Sequence, residues 1–414
     1  MERSAAREAV GCYEQALAAL EHGPEHRARH EQAIDLRIDL RRARAVLGQQ
    51  ARTLDDLRTA ETLAEALDDS HRLGRVSVHM ADYFMAVGQY DRAMASSQRA
   101  LVLAAANGDS DTHTWAHNYL GLVYFIHGDY RQAMDAFRQT MAEPEGEQHY
   151  ERFGQNVQPT VFSRTFLCLC LAEMGAFAES RAVGEAGRRM AEAINHPGSL
   201  VSAYRSVGQL YLRQGDLPQA LPVLERAASI CEDAELPFQF SLLAPALGAA
   251  YVQCGRVDEA IRLLARVQEQ TALSGRRNVQ ALLLSSLGEA HLCADRLEEA
   301  RTFATRALEH ARTYQARGHE AYSLRLLGDI AAHGYPPEVE EGEASYRQAL
   351  ALADELGMRP LVAHCHYGLG TLYAATGQRE QARTALSTAI AMYQSMDMTF
   401  WLPQTEEALA QAGA

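Results

Sequence analysis

Residues 121–137 read GLVYFIHGDYRQAMDAF. Two glycines seven positions apart frame the stretch. Gly121 is followed three residues later by Tyr124, a small-then-large spacing that lets two helices approach closely. Gly128 stands where the first helix must stop, because a left-handed residue closes such a turn and glycine adopts it at least cost. Tyr130, Ala133 and Phe137 then recur at helical spacing. The stretch therefore predicts a helix, a tight turn and a second helix.

The same reading extends outward in both directions. A small residue followed three later by a larger one recurs in ADYF (81–84), CLCL (168–171), GQLY (208–211), GAAY (248–251), GEAH (288–291), GDIA (328–331) and GTLY (370–373), with a weaker RRAR at Arg41. The anchors fall at 41, 81, 121, 168, 208, 248, 288, 328 and 370, spaced 40, 40, 47, 40, 40, 40, 40 and 42. Seven residues after most of them comes a glycine: Gly48, Gly88, Gly128, Gly175, Gly215, Gly255 and Gly377. Small residues of a second helix follow, among them Ala93, Ser180, Ala220, Ala260, Ala300 and Ala382. A lone helix pair cannot bury its apolar stripe, whereas stacked neighbours can. The expected fold class is all-α, a solenoid of about nine ~40-residue helix pairs.

The G-x-x-Y, G-[DQ]-[YL]-x-x-A and A-x-x-x-F/L elements resemble the tetratricopeptide family, and 121–137 is the nearest copy. The resemblance covers residues 30–395 and implies a right-handed superhelix, with units longer than the family's usual ~34 residues. Residues 1–29, containing SAAREAVGCYEQALAALEH, match a second helix without its first and are expected to form a half-repeat or cap with a linker. A chain that begins half-way through a repeat reads as a piece of a longer protein or as one whose first helix caps the stack. Residues 396–414 are expected to form a C-terminal capping helix, with Phe400 and Trp401 over the exposed end of the last pair. The phrases RSAAREAVGCYEQAL, HPGSL, GMRPLVAHCHYGLGTLY and MDMTFWLPQTEEALA are similar to the C-terminal repeat region of large bacterial signalling proteins. In those, a class III adenylate/guanylate cyclase domain and a predicted ATPase precede the repeats. Neither catalytic domain is in this sequence, so no cyclase or ATPase residue carries over.

Composition narrows the function classes. Fifty-three acidic side chains against 39 basic ones give a net charge of −14, which argues against nucleic acid or an anionic membrane as the main partner. All 39 basic residues are arginine. Without lysine there is no phosphate-loop lysine, Schiff-base lysine or lysine general base. The seven cysteines form no CxxC pair and mostly sit among apolar helix residues, as small buried hydrophobes of a reducing compartment do. No apolar run reaches the ~18 residues of a membrane span, and no signal-peptide core follows Met1. The expected location is cytoplasmic.

Candidate chemistry is sparse. His22, His26 and His30 fall four apart, but Gly23 and Pro24 interrupt any helix there. His113 and His117 share a helix face without a clear third ligand, and His364 and His366 lie on different sides of theirs. Neither a metal nor a cofactor is expected. Gly368-Leu369-Gly370 lies inside a helix and reads as close packing, not as a nucleotide loop. No nucleophile elbow or other local triad signature occurs, so the chain is not expected to be an enzyme.

The resemblance implies a groove. In the family, first-helix residues beside the anchor line the concave face. By position these are Asn118, Leu122 and Phe125, then Thr165, Leu169 and Ala172, then Arg205, Gln209 and Leu212. Further along come Ser285, Glu289 and Leu292, then Arg325, Asp329 and Ala332. An apolar early part with an amide and a charged later part suit an extended peptide or helix. Some family members clamp a C-terminal carboxylate with a basic pair. Here there is no lysine, and Arg205 and Arg325 are three repeats apart, which argues against a chaperone-tail clamp. The insertions EPEGEQHYERFGQNVQPT (143–160) and HGYPPEVEEGE (333–343) are candidate binding loops. The expected function is a protein–protein interaction scaffold or sensor arm of a bacterial signalling protein. The alternatives are a self-associating structural module and a small-ligand sensor that controls an attached ATPase or cyclase.

Overall fold

The computed structural model describes residues 2–22, 26–141, 157–274, 277 and 279–413. Among them the fold is all-α, with no strand. Helix α1 (Glu2–Glu21) precedes the paired array. The first pairs are α2 (Arg27–Val46) with α3 (Gln50–Ala66), α4 (Ser70–Val87) with α5 (Tyr90–Asn107), and α6 (Ser110–His127) with α7 (Tyr130–Gln139). Next come α8 (Pro159–Glu173) with α9 (Phe177–Ile194), α10 (Pro197–Gln214) with α11 (Leu217–Asp233), and α12 (Pro237–Gln253) with α13 (Val257–Ser274). The last are α14 (Gln280–Cys293) with α15 (Leu297–Thr313), α16 (Arg317–His333) with α17 (Val339–Leu356), and α18 (Arg359–Ala375) with α19 (Arg379–Ser395), followed by α20 (Leu402–Gly413). Most of the 143–160 insertion, residues 143–156, lies outside the described residues.

The anchors work by close packing inside each pair. A Cβ on Gly208 would meet Leu224 at 2.4 Å, one on Gly370 would meet Leu386 at 2.6 Å, and one on Gly121 would meet Phe137 at 2.7 Å. Each partner lies sixteen residues after its anchor. Cys168 and Gly184, also sixteen apart, exchange the roles of large and small. In the α16–α17 pair Gly328 receives Tyr346, eighteen residues on. The two extra residues sit in the longer turn between these helices and account for the spacing of 42 after anchor 328.

All seven expected turn glycines have positive φ, from +72° to +85°. Gly215 needs its missing side chain twice over, for φ +85° and because a Cβ there would lie 2.5 Å from Phe400. A second set of left-handed residues ends the second helices: Asp68, Gly108, Asn195, Glu235, Gln315, Gly357 and Asp397.

The chain forms two compact units. The first comprises Met1–Val123, Asp135–Ser163 and Gln270–Asn278. In it Val10 and Leu17 of α1 pack with Leu40 of α2, and the buried Arg41 and Arg44 are paired with Asp82 and with Asp56 and Glu14.

The second unit comprises Tyr124–Met134, Arg164–Glu269 and Val279–Ala414. Its first helices lie side by side, α10 on α12, α12 on α14, α14 on α16 and α16 on α18, with α20 against α18 and α19. Within this unit the array also returns to its own beginning. A Cβ on the Gly175 turn would meet Met396 Sδ at 2.5 Å. The Tyr130 hydroxyl stands 3.8 Å from Met358 Sδ, and Ile126 packs on Ala281, Ala311 and Ala316. Trp401 packs on His364 and Tyr393 of the last pair and reaches beyond it. It packs into a cluster with Cys168, Phe177, Leu210 and Tyr393, joining the last repeats to α8–α10. The far side of the last pair is covered by Ala408, Leu409 and Ala412 of α20.

Candidate functional site

An anchor glycine faces its own second helix, so residues three before and one after it project along a neighbouring stripe of the first helix. In the second unit these stripes carry Arg205, Glu289, Arg325 and Asp329. Arg325 Nη2 donates to Glu289 Oε1 at 2.6 Å, and the same guanidinium pairs with Asp329. Tyr346 Oη donates to Asp329 Oδ1 at 2.6 Å. The side chains of Arg325, Asp329 and Glu289 remain 19%, 24% and 37% exposed, so the cluster is reachable by solvent.

A second cluster closes the seam between the start and the later part of this unit. Arg213 of α10 pairs with Glu173 of α8 and donates to the Tyr322 hydroxyl of α16. Tyr322 in turn donates to Glu173 Oε2 at 2.8 Å. Burial pushes the Glu173 carboxyl above its usual range, while Arg213 and Tyr322 draw it back. Burial lowers the Arg213 guanidinium, and the Glu173 carboxylate and the Tyr322 hydroxyl more than offset it, so that Arg213 lies above its ordinary value. Burial, with Arg325 and Arg213 nearby, holds His364 at about 3 and neutral. Its Nδ1 lies 2.8 Å from Tyr393 Oη.

The third feature is a strip of side chains. Phe125 stands edge-on to Phe166, with ring centroids 5.5 Å apart, and both rings are partly exposed. The Arg205 guanidinium lies 5.7 Å from the Phe166 centroid, and its Nη1 donates to Gln209 Oε1 at 3.0 Å. Arg205 is 7% exposed, and burial lowers it to about 10.

The expected groove residues thus divide. Phe125, Arg205 and Gln209 come together in this strip, and Glu289, Arg325 and Asp329 form the charged cluster. Asn118, Thr165 and Leu169 are turned into helix packing. Asn118 Nδ2 donates to the Pro159 carbonyl at 3.1 Å and its Oδ1 accepts from Ser163 Oγ at 2.7 Å. That amide bolts α6 to α8 and offers nothing to a ligand. Thr165 accepts from Ser202 Oγ at 3.2 Å. Leu122 belongs to the first unit and is half-buried. Sequence reasoning missed Phe166, Glu173, Arg213 and Tyr322. One signal was available: Glu173 and Arg213 are opposite charges at the same place, five after the anchor, in consecutive repeats.

The first unit holds a cavity of about 230 Å³ between α3, α4 and α5, lined by Leu54, Met80, Phe84 and Arg92 among others. It is smaller than the ~300–1,000 Å³ of most ligand pockets. Among the described residues no three His, Cys, Asp or Glu side chains are grouped to hold a metal ion. Nor is any described helix long and apolar enough to cross a membrane.

Models of the tetratricopeptide repeat match residues 203–237, 240–313 and 363–395. The helix pairs within those three stretches are tetratricopeptide repeats. No curated protein matches the sequence. Among solved structures, the repeats are similar to those of a Rap protein complexed with the competence and sporulation factor. The two chains are 16% identical over 86% of this chain and 97% of that one, with a TM-score of 0.60. The Rap conjugation regulator of plasmid pLS20, in complex with the Phr* peptide, is 14% identical over 91% and 97% of the two chains, with a TM-score of 0.55. The apo quorum sensor NprR of B. thuringiensis is 13% identical over 87% and 99%, at a TM-score of 0.50. At these identities the likeness is one of fold.

Proposed function

We propose that the chain is a non-catalytic interaction scaffold whose second unit takes an extended peptide or a helix from a partner protein. The strip Phe125–Phe166–Arg205–Gln209 carries the reading. Two aromatic rings left partly exposed beside polar groups are what a peptide-binding face needs: apolar area to bury, and donors to fix register. Two solved structures of similar fold, a Rap protein with the competence and sporulation factor and the pLS20 Rap regulator with the Phr* peptide, support the same reading. The finer role is a sensor arm of a bacterial signalling protein in the cytoplasm, in which segments 1–29 and 396–414 end the array 30–395. The net charge of −14 supports a partner other than nucleic acid.

The test starts from a random dodecapeptide display library selected on the immobilised chain. The selected consensus peptide is then titrated by fluorescence polarisation against wild type and Phe166→Ala. Saturable binding that weakens at least about tenfold in the variant is expected. A library that yields no consensus, or a peptide that binds both proteins equally, would overturn the reading.

A further inference from the structure

Among the described residues three arginines are buried: Arg41, Arg44 and Arg205, at 6%, 8% and 7% exposure. Arg41 is paired with Asp82, and Arg44 with Asp56 and Glu14. Among the described residues no carboxylate pairs with Arg205. Its contacts are one amide oxygen, from Gln209, and the face of Phe166. A buried cation without a counter-ion is costly, because desolvation is not offset by attraction. The repeat supplies an internal control. Arg325 occupies the same position, three before its anchor, and finds Glu289 thirty-six residues earlier and Asp329 four later. The corresponding residues around Arg205 are Leu169 and Gln209. Where one repeat has two carboxylates, the other has an alkyl group and an amide.

We propose that the partner supplies the missing anion, and that Arg205, with Gln209 beside it and Phe166 beneath it, is a subsite for a single carboxylate of the bound peptide. The inference rests on the peptide-binding reading above and adds the chemistry of its ligand. A carboxylate fits better than a phosphate, because one guanidinium balances one negative charge and a phosphate monoester carries about −1.5 to −2. The Arg205 guanidinium lies within cation–π range of the Phe166 ring, and a guanidinium's fork of N–H donors matches a carboxylate in one plane. The carboxylate comes from an Asp or Glu side chain or from the peptide's C-terminus, and the test separates these.

Three pools are built on the displayed consensus peptide and titrated by fluorescence polarisation. One has a free C-terminus and Asn or Gln at every acidic position. The second has an amidated C-terminus and Asp or Glu retained, and the third has neither carboxylate. The proteins are wild type, Arg205→Gln, Arg205→Lys and Gln209→Glu. Wild type is expected to bind one or both of the carboxylate-bearing pools at least about tenfold more tightly than the third pool. Which of the two binds identifies the source of the carboxylate. Arg205→Gln should lose that preference and Arg205→Lys should keep part of it. Gln209→Glu, which rebuilds the Arg325–Asp329 arrangement, should lose the preference while Arg205 stays in place. Both Arg205→Gln and Gln209→Glu should melt at a higher temperature than wild type, since the first removes the uncompensated charge and the second gives it a counter-ion. A purely structural Arg205 predicts a lower melting temperature for Arg205→Gln and an unchanged preference in Gln209→Glu, and either result overturns the proposal. Equal binding of all three pools to wild type overturns the carboxylate and leaves the peptide reading standing. No binding by any pool overturns both.

Discussion

Arg213→Ala removes the cation at the seam and leaves Glu173, 5% exposed, with the Tyr322 hydroxyl as its remaining partner. Opposite charges about 4 Å apart interact by about 4 kcal/mol at an effective dielectric constant near 20. Stranding one member of a buried pair costs about 3–5 kcal/mol in proteins. Because Tyr322 still donates to the carboxylate, the lower half of that range, about 3–4 kcal/mol at pH 7, is expected. Protonation relieves it. Burial already holds the folded Glu173 carboxyl above its unfolded value, and losing Arg213 raises it further. A raised carboxyl gives stability that is present below the unfolded pKa, near 4.3, and lost as pH rises through the folded one. The variant's deficit should therefore shrink from pH 7 toward pH 5, by about 1.4 kcal/mol per pH unit while only the folded form is protonated. Glu173→Gln with Arg213→Met removes both charges at similar volume and should lie within about 1 kcal/mol of wild type. Urea unfolding by circular dichroism measures the totals. Hydrogen exchange in α8, α10 and α16 locates the loss, since repeat arrays open locally. An Arg213→Ala protein within about 0.5 kcal/mol of wild type, or a double variant less stable than the single, would refute the reasoning.

Other perturbations test the packing and the strip. Gly208→Ala should cost about 1–3 kcal/mol by overpacking against Leu224, and adding Leu224→Ala should cost less than the sum of the two single changes in urea unfolding. Trp401→Ala should cost about 3–5 kcal/mol and speed hydrogen exchange in α8 and α10. A loss confined to α18–α20 would mean that Trp401 does not join the two regions. Phe125→Ala should weaken the displayed consensus peptide by about 1–3 kcal/mol in polarisation titrations and lower the melting temperature only slightly. If it unfolds the chain while binding per folded molecule is unchanged, Phe125 is core.

The helix pairs were legible because their signals are local. Gly128 and its equivalents mark turns that only a left-handed residue closes, and Gly208 and Gly370 mark contacts inside a single pair. The ends of the second helices were harder, because Asp68, Glu235, Gln315 and Asp397 take the left-handed conformation without a glycine to announce it. The seam was not legible. Whether Trp401 meets Leu210, or Tyr322 meets Arg213, depends on small rotations summed over several repeats, and no pair of neighbouring residues encodes that sum. The groove was half legible for the same reason. Periodicity placed Arg205, Gln209, Arg325 and Asp329 on one stripe, but Asn118, Thr165 and Leu169 at equivalent positions are buried in helix packing. Arg205's lack of a counter-ion became visible only when its repeat was set against that of Arg325 in three dimensions.

The central claim is that a peptide binds along the inner stripes of the second unit. Photo-crosslinking tests it most directly. A photoreactive amino acid is placed at Gln209 in one protein and at Val102, which is 71% exposed on α5 of the first unit, in another. Each is irradiated with the displayed consensus peptide. The account predicts a crosslink at position 209 that unlabelled peptide competes away, and none at position 102. A competed crosslink at position 102 without one at 209 would contradict it.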